Sequence, residues 1–186
     1  ITMRKWKNYL ITGMIVLMTV GICGCGGVSH KSPEKVTEEL IQSSVNGKEK
    51  KILDCYLETK NTEDSLKSEV DTLIKYYKSH NVKKLKIQDC DTLSENEKYT
   101  YVYITYNLVL DDDQEYPCIG TYMVGKKDKD YYILPPSQIT DEMRNQAASD
   151  YARFMTTDTY KEYTKDYDTF IKNNPGYEDK ISEKMK

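Results

Sequence analysis

The chain has 186 residues, with 27 Lys and Arg against 30 Asp and Glu and a formal net charge of −3. This length corresponds to about one domain, and the charge balance excludes a strongly basic nucleic-acid-binding protein. A single apolar stretch approaches bilayer length, which excludes a polytopic membrane protein.

Positive charge and hydrophobicity are concentrated at the start of the chain. The first 25 residues contain three basic residues and no acid, so the rest of the chain carries a net charge of −6. An apolar core from Tyr9 to Ile22 and a glycine-rich stretch follow, an order typical of a secretory signal peptide. The uncharged run over residues 8–29 is also long enough for an uncleaved membrane helix, and this alternative stays open.

The segment Ile22-Cys23-Gly24-Cys25 resembles the lipobox of bacterial lipoproteins. The resemblance implies cleavage before Cys25, a diacylglycerol thioether on its sulfur, and a position on the extracytoplasmic face of the cell membrane. Two acyl chains anchor a protein stably where one is marginal. Residues 1–25 would then be a signal peptide and residues 26–31 a short tether. Because the remaining chain is acidic, we expect membrane attachment to depend on Cys25 alone.

Three helices are predicted after the tether. Ser32-Pro33-Glu34 indicates a helix start with Ser as the N-cap, and Asn46-Gly47 indicates its end. A second, short helix is predicted to end near Leu57. A third runs from about residue 61 to His80, on an apolar stripe with helical spacing. The stripe consists of Leu66, Val70, Leu73, Ile74 and Tyr77.

A period of two then predicts four strands. The first begins near Leu85, and we expect Asp89 and Asp91 to be turn residues at its end. The second covers Lys98 to Leu110, followed by a hairpin loop over residues 111–114. The third covers Tyr116 to Val124, with a bulge or bend at Gly120. The fourth covers Tyr131 to Leu134 and ends at Pro135-Pro136.

The remaining residues return to helical periodicity. Two helices are predicted within residues 137–186, and the last ten, highly charged residues are expected to fray. The predicted fold class is α+β, in which three N-terminal helices pack on a curved, cone-like, four-stranded antiparallel sheet that precedes the two C-terminal helices. We expect this helical extension either to cover the open face of the sheet or to exchange with a partner.

Residues 32–57 look like the opening of bacterial lipoproteins of the Gram-positive type that carry a nuclear-transport-factor-2-like (cystatin-like) domain. The resemblance implies a cone-like domain over residues 32–136. The C-terminal extension over residues 137–186 departs from it, since many such domains end with the sheet. Families of this fold include dehydratases, isomerases, peptidoglycan-layer and conjugation proteins. The fold therefore fixes no activity.

The 17 tyrosines are the most unusual feature of the composition. On the predicted strands they could line a ligand cavity with aromatic surface and hydroxyl groups. They could equally form cross-strand pairs that stabilise a half-exposed sheet. The candidate ligand-binding residues are Tyr101, Tyr103, Tyr116, Tyr122 and Tyr132.

Other reactive residue types form no strong pattern. The cysteines lack CxxC spacing, which disfavours zinc; Cys90 and Cys118 could form a disulfide or remain buried thiols. The acids of residues 111–115 lack the full pattern of a calcium loop, so we predict neither a metal nor a cofactor. His80 lies at a predicted helix end, where we expect capping or plain exposure rather than catalysis.

Three hypotheses on function follow. The first is an anchored, non-enzymatic binding domain for a small apolar ligand, a cell-wall component or a protein, with no nucleic-acid partner. The second is an isomerase or dehydratase in the same cone, which requires a buried Asp or His with a raised pKa. The third is a membrane-spanning scaffold subunit of a secretion or conjugation complex, which would retain residues 8–29 as a helix.

Overall fold

The computed structural model of the protein describes residues 27–57 and 63–186. The predicted signal peptide, Cys25 and the start of the third predicted helix lie outside these residues. In chain order the elements are α1 (Pro33–Val45), α2 (Glu49–Cys55), α3 (Glu63–Ser79), β1 (Val82–Glu95), β2 (Thr100–Leu110), β3 (Glu115–Lys127), β4 (Asp130–Ile133), a 3₁₀ turn (Pro136–Gln138), α4 (Asp141–Phe154), α5 (Asp158–Asn173) and α6 (Tyr177–Met185).

The predicted boundaries of α1 are confirmed. The side chain of Ser32 accepts a hydrogen bond from the backbone N–H of Lys35 at 3.2 Å, and Pro33 is the first helical residue. At the other end Asn46 is the C-cap, and Gly47 has a φ of +63°. A side chain is strained in this left-handed conformation, which is why a glycine ends the helix.

The four strands form one antiparallel sheet in the order β1-β2-β3-β4. The predicted hairpin loop between β2 and β3 is confirmed, since the N–H of Leu110 donates to the carbonyl of Gln114 at 2.8 Å. The fold class is therefore α+β, as predicted. No helix among the described residues is both long and apolar enough to cross a membrane.

The first strand is much longer than predicted. Asp89 and Asp91 are not turn residues, because β1 continues to Glu95. Its register against β2 shifts three times, and each shift leaves one residue of β1 without a partner: Lys83, Gln88 and Leu93. Extra residues of this kind bend a strand and increase its twist, so they account for curvature at this side of the sheet. At Gly120, where a bulge or a bend was predicted, there is no bulge, because the register of β2 with β3 is unbroken.

The inner face of the sheet packs on the first three helices. Alternate residues of β2 point to this side and are buried, as the period of two predicted. They are Val102, Ile104, Tyr106, Leu108 and Leu110. From the helices, Leu40 and Ile41 of α1, Ile52 of α2 and Val70 of α3 are fully buried in the same two core clusters.

The outer face of the sheet is covered by α4, one of the two outcomes expected for the helical extension. Tyr101 of β2 and Tyr99, which directly precedes this strand, pack with Met143 and Ala147 of α4. The helix is also held by Asp150, whose buried carboxylate accepts a hydrogen bond from the Ser94 hydroxyl of β1 at 2.5 Å. The sheet therefore lies between two helical layers.

The extension contains three helices rather than two, and its last ten residues do not fray. α5 packs against β3, and α6 packs against α3. Two hydrogen bonds hold the end of α6, because Lys184 donates to the carbonyl of Ser79 and Lys75 donates to that of Met185. The side chain of Ile181 is buried and adds an apolar contact. This contact was not predicted, because the surrounding sequence is highly charged.

Candidate functional site

A groove crosses the edge of β3 between α3 and α4. The short strand β4 pairs only with Val124–Lys127 of β3, so no described strand pairs with the outer edge at Thr121 and Tyr122. Glu69 of α3 borders the groove on one side of this edge and Arg144 of α4 on the other. The cavity has a volume of about 510 Å³, within the usual range for small-molecule sites.

Four tyrosines define this cavity, which we call the tyrosine groove: Tyr56, Tyr101, Tyr122 and Tyr151. Most of the remaining wall is aliphatic and includes Met123, Ile133, Leu134, Ile139, Ala147 and Ala148. The phenols combine apolar ring surface with hydroxyl groups, a chemistry suited to aromatic or polycyclic ligands with a few polar atoms.

The hydroxyl groups of the groove are held in the protonated form. Burial raises the pKa of Tyr56, of Tyr122 and, to a smaller degree, of Tyr101. Tyr101 donates a hydrogen bond to the Thr121 hydroxyl at 3.0 Å, which orients its ring. These groups therefore serve as hydrogen-bonding partners and not as phenolate bases.

Two ionisable side chains stand at the rim. Glu69 is exposed at its outer side, but partial burial by the wall of the groove raises its pKa. Arg144 is paired with Asp141 at 2.7 Å on the exposed side of α4. The rim can thus supply a carboxyl group of weakened acidity and a guanidinium group.

The structure brings together only two of the five tyrosines predicted to bind a ligand. Tyr101 and Tyr122 line the groove. Tyr103 lies further along the outer face, where its hydroxyl donates to Asp89 at 2.5 Å. Tyr116 is in the inner core, and Tyr132 stacks on the ring of His30 at a centroid distance of 4.3 Å.

Sequence reasoning missed the other groove residues. Tyr56 follows a short helix, Glu69 lies on the polar side of the α3 stripe, and Tyr151 lies on α4 of the C-terminal extension. No spacing rule connects these three positions, because they meet only where the edge of β3 is left open.

A second cavity, of about 560 Å³, lies between the end of α3, the β2–β3 loop and α6. His80 contributes to its wall and is buried, so plain exposure, one of the two expectations for this residue, is wrong. Its Nδ1 shares a hydrogen bond of 2.7 Å with the Tyr177 hydroxyl, while Nε2 has no hydrogen-bond partner among the residues that the structure describes. Burial, and then the charge of Lys184, lower the pKa of His80 to about 4, so the ring is neutral at pH 7.

The three described cysteines are free thiols, so Cys90 and Cys118 do not form a disulfide here. Cys90 lies on β1 and Cys118 on β3, with β2 between them. Two strand spacings amount to about 9.5 Å, beyond the roughly 7 Å that a disulfide can bridge. Burial raises the pKa of each thiol, that of Cys55 to about 12. Among the described residues, no group of three or more His, Cys, Asp or Glu side chains could hold a metal ion.

Comparison with known proteins gives little further guidance. No family model and no curated protein matches the chain. One solved structure, described as that of an NTF2-like transpeptidase from Campylobacter jejuni, matches over 56% of this chain and 98% of its own, at 13% identity and a TM-score of 0.40. At this level the likeness carries no conclusion about activity, and the fold class rests on the helices and strands described above.

Proposed function

We propose that the chain is a lipid-anchored, extracytoplasmic binding protein that holds a small apolar, ring-bearing ligand in the tyrosine groove. The groove is the observation that carries this proposal. It combines four phenols and an aliphatic wall with a volume suited to one small molecule. Residues 22–25, which resemble a lipobox, support the anchor. The order of helices and strands supports a cone-like domain.

Filling the groove is expected to remove ligand binding. Ala148 lies on the exposed side of α4 and lines the groove, so an indole at this position would occupy the cavity with little effect on the core. We expect Ala148→Trp to weaken binding of the aromatic probe 1-anilinonaphthalene-8-sulfonate at least about tenfold, a loss of roughly 1.4 kcal/mol. The measurement is a fluorescence titration of the folded protein.

Ala152→Trp is the matched control. Ala152 is exposed on the same helix one turn later and does not line the groove. This variant should bind the probe as the parent protein does. Equal probe affinity in Ala148→Trp and Ala152→Trp would contradict the assignment of the groove.

Glu69 favours a second candidate function, an isomerase or dehydratase that abstracts a proton. A carboxyl group with a raised pKa beside an apolar groove is a suitable general base. This alternative is tested with 5-nitrobenzisoxazole, which opens when a base removes its ring proton. Ring opening that is lost in Glu69→Gln would favour the enzyme, whereas equal rates in the two proteins would favour binding alone.

A further inference from the structure

The segment that follows Cys25 is fixed to one end of the sheet. The N–H of Tyr131 on β4 donates to the carbonyl of His30 at 3.0 Å, and the Nδ1 of His30 lies 2.7 Å from the carbonyl of Tyr131. Val28 packs against the inner core beside Tyr131. The chain thus leaves the folded domain at β4.

This attachment limits how far the domain can stand from an anchor. Three peptide units separate Cys25 from Val28, and a fully extended chain of this length spans at most about 11 Å. Here the inference rests on the proposed function, in which Cys25 carries the lipid. The β4 end of the sheet must then lie close to the bilayer surface, at a distance comparable to the Debye length of about 8–10 Å.

The same end of the molecule carries a group of exposed lysines. The turn between β3 and β4 contains Lys126, Lys127 and Lys129 with two aspartates, and all five residues are exposed. Lys31 is exposed next to His30. These six charges sum to a positive value, although the chain beyond residue 25 has a net charge of −6.

Aromatic rings accompany the lysines. The Lys126 ammonium lies 5.2 Å from the ring centroid of Tyr131, and Tyr132 stacks on His30. Both tyrosines are half-buried. Lysine and tyrosine together are the residue types that favour the headgroup region of a membrane.

We propose that the basic end, defined as Lys31 with the β3–β4 turn (residues 126–130), contacts anionic lipid headgroups, so that the anchored domain stands on the membrane through this end. The expectation that attachment depends on Cys25 alone came from the average charge of the chain. In the structure the basic end beside the anchor has a net positive charge, whereas the rest of the chain beyond residue 25 has a net negative charge. Each lysine near an anionic surface adds to the attraction, which salt weakens.

The proposal is tested by the acetylation rates of individual lysines in the full-length lipidated protein. The protein is reconstituted into vesicles of phosphatidylcholine alone or with 30% phosphatidylglycerol, treated with an N-hydroxysuccinimide acetate, and analysed by peptide mass spectrometry. We expect Lys127 and Lys129 to react at least about threefold more slowly with the anionic lipid at low salt, and equally in both vesicles at 1 M salt.

Lys165 and Lys172 on α5 are internal controls. Tyr167 and Phe170 of this helix contact Tyr116 at the other end of β3, and the eleven residue steps from Tyr116 to Lys127 span up to about 36 Å. Their rates should not depend on the lipid. In the double variant Lys127→Glu with Lys129→Glu, the lipid-dependent protection of Lys31 should also disappear.

The outcomes separate this inference from the proposed function. Acylated protein whose Lys127 and Lys129 react equally in both vesicles would overturn the membrane contact and leave the anchor in place. If the protein lacks the acyl group on Cys25 and does not associate with the vesicles, this result would contradict both the proposed anchor and the proposed membrane contact. Slower reaction of the α5 lysines as well would also contradict the proposed orientation.

Discussion

Replacing Phe170 by alanine is expected to lower the free energy of unfolding by about 3–5 kcal/mol, the usual loss for a large aromatic residue removed from a core. Phe170 is buried, and its ring packs on Tyr116 of β3 and Tyr177 of α6, at centroid distances of 5.1 and 4.9 Å. The substitution would leave a cavity where three elements meet. Urea denaturation followed by far-ultraviolet circular dichroism measures the loss.

Lys165→Ala provides the control on the same helix. Lys165 is exposed, so its removal should change the free energy of unfolding by no more than about 0.5 kcal/mol. A loss below about 1 kcal/mol for Phe170→Ala would contradict the packing of α5 against β3.

Acidification is expected to destabilise the protein through His80. Its pKa of about 4 in the folded state compares with about 6.5 in an unfolded chain. The folded protein therefore binds fewer protons between these values, and its stability falls as the pH falls. Above about pH 6.5 His80 does not lower the free energy of unfolding. By pH 4 the titration of His80 lowers this free energy by roughly 3 kcal/mol.

The contribution of His80 is isolated by comparing variants, because carboxylates titrate in the same range. Denaturation curves are measured between pH 4 and 7.5 for the parent protein and for His80→Gln. The glutamine at position 80 can still bond to Tyr177 but does not titrate, so the dependence on pH should become shallower. An unchanged slope in His80→Gln would contradict the buried neutral ring.

The parts of the fold that were predicted are those with local causes. The N-cap Ser32 and the glycine after α1 act within a few residues of their own position. The apolar alternation of β2 reports directly which face is buried, because a one-residue shift would expose the whole set. These features could be inferred without knowing what packs against them.

Other features depend on contacts between distant residues. β1 was predicted too short because its bulges break the period of two and its side chains are mostly polar. α6 was missed because five of its nine residues are charged, and because Tyr177 and Ile181 make their contacts only in the folded domain. Its hydrogen bonds to α3 join residues about a hundred positions apart.

The candidate site was only partly predictable for the same reason. The sequence identifies tyrosines on strands but not which strand edge remains open. Because β4 is four residues long, the β3 edge at Tyr122 is left without a strand partner, and Tyr101 and the α4 residue Tyr151 line the same cavity. Tyr116, on the same strand, is instead covered by α5.

The central claim, that Cys25 anchors this domain to the membrane, is tested most directly by metabolic labelling with an alkyne fatty acid in a bacterial host. We expect the parent protein and Cys23→Ser to be labelled and Cys25→Ser to remain unlabelled. Mass spectrometry should show a mature chain that begins at Cys25. Unchanged labelling of Cys25→Ser, or a mature chain that still contains residues 8–29, would contradict it; the latter would favour a membrane-spanning subunit.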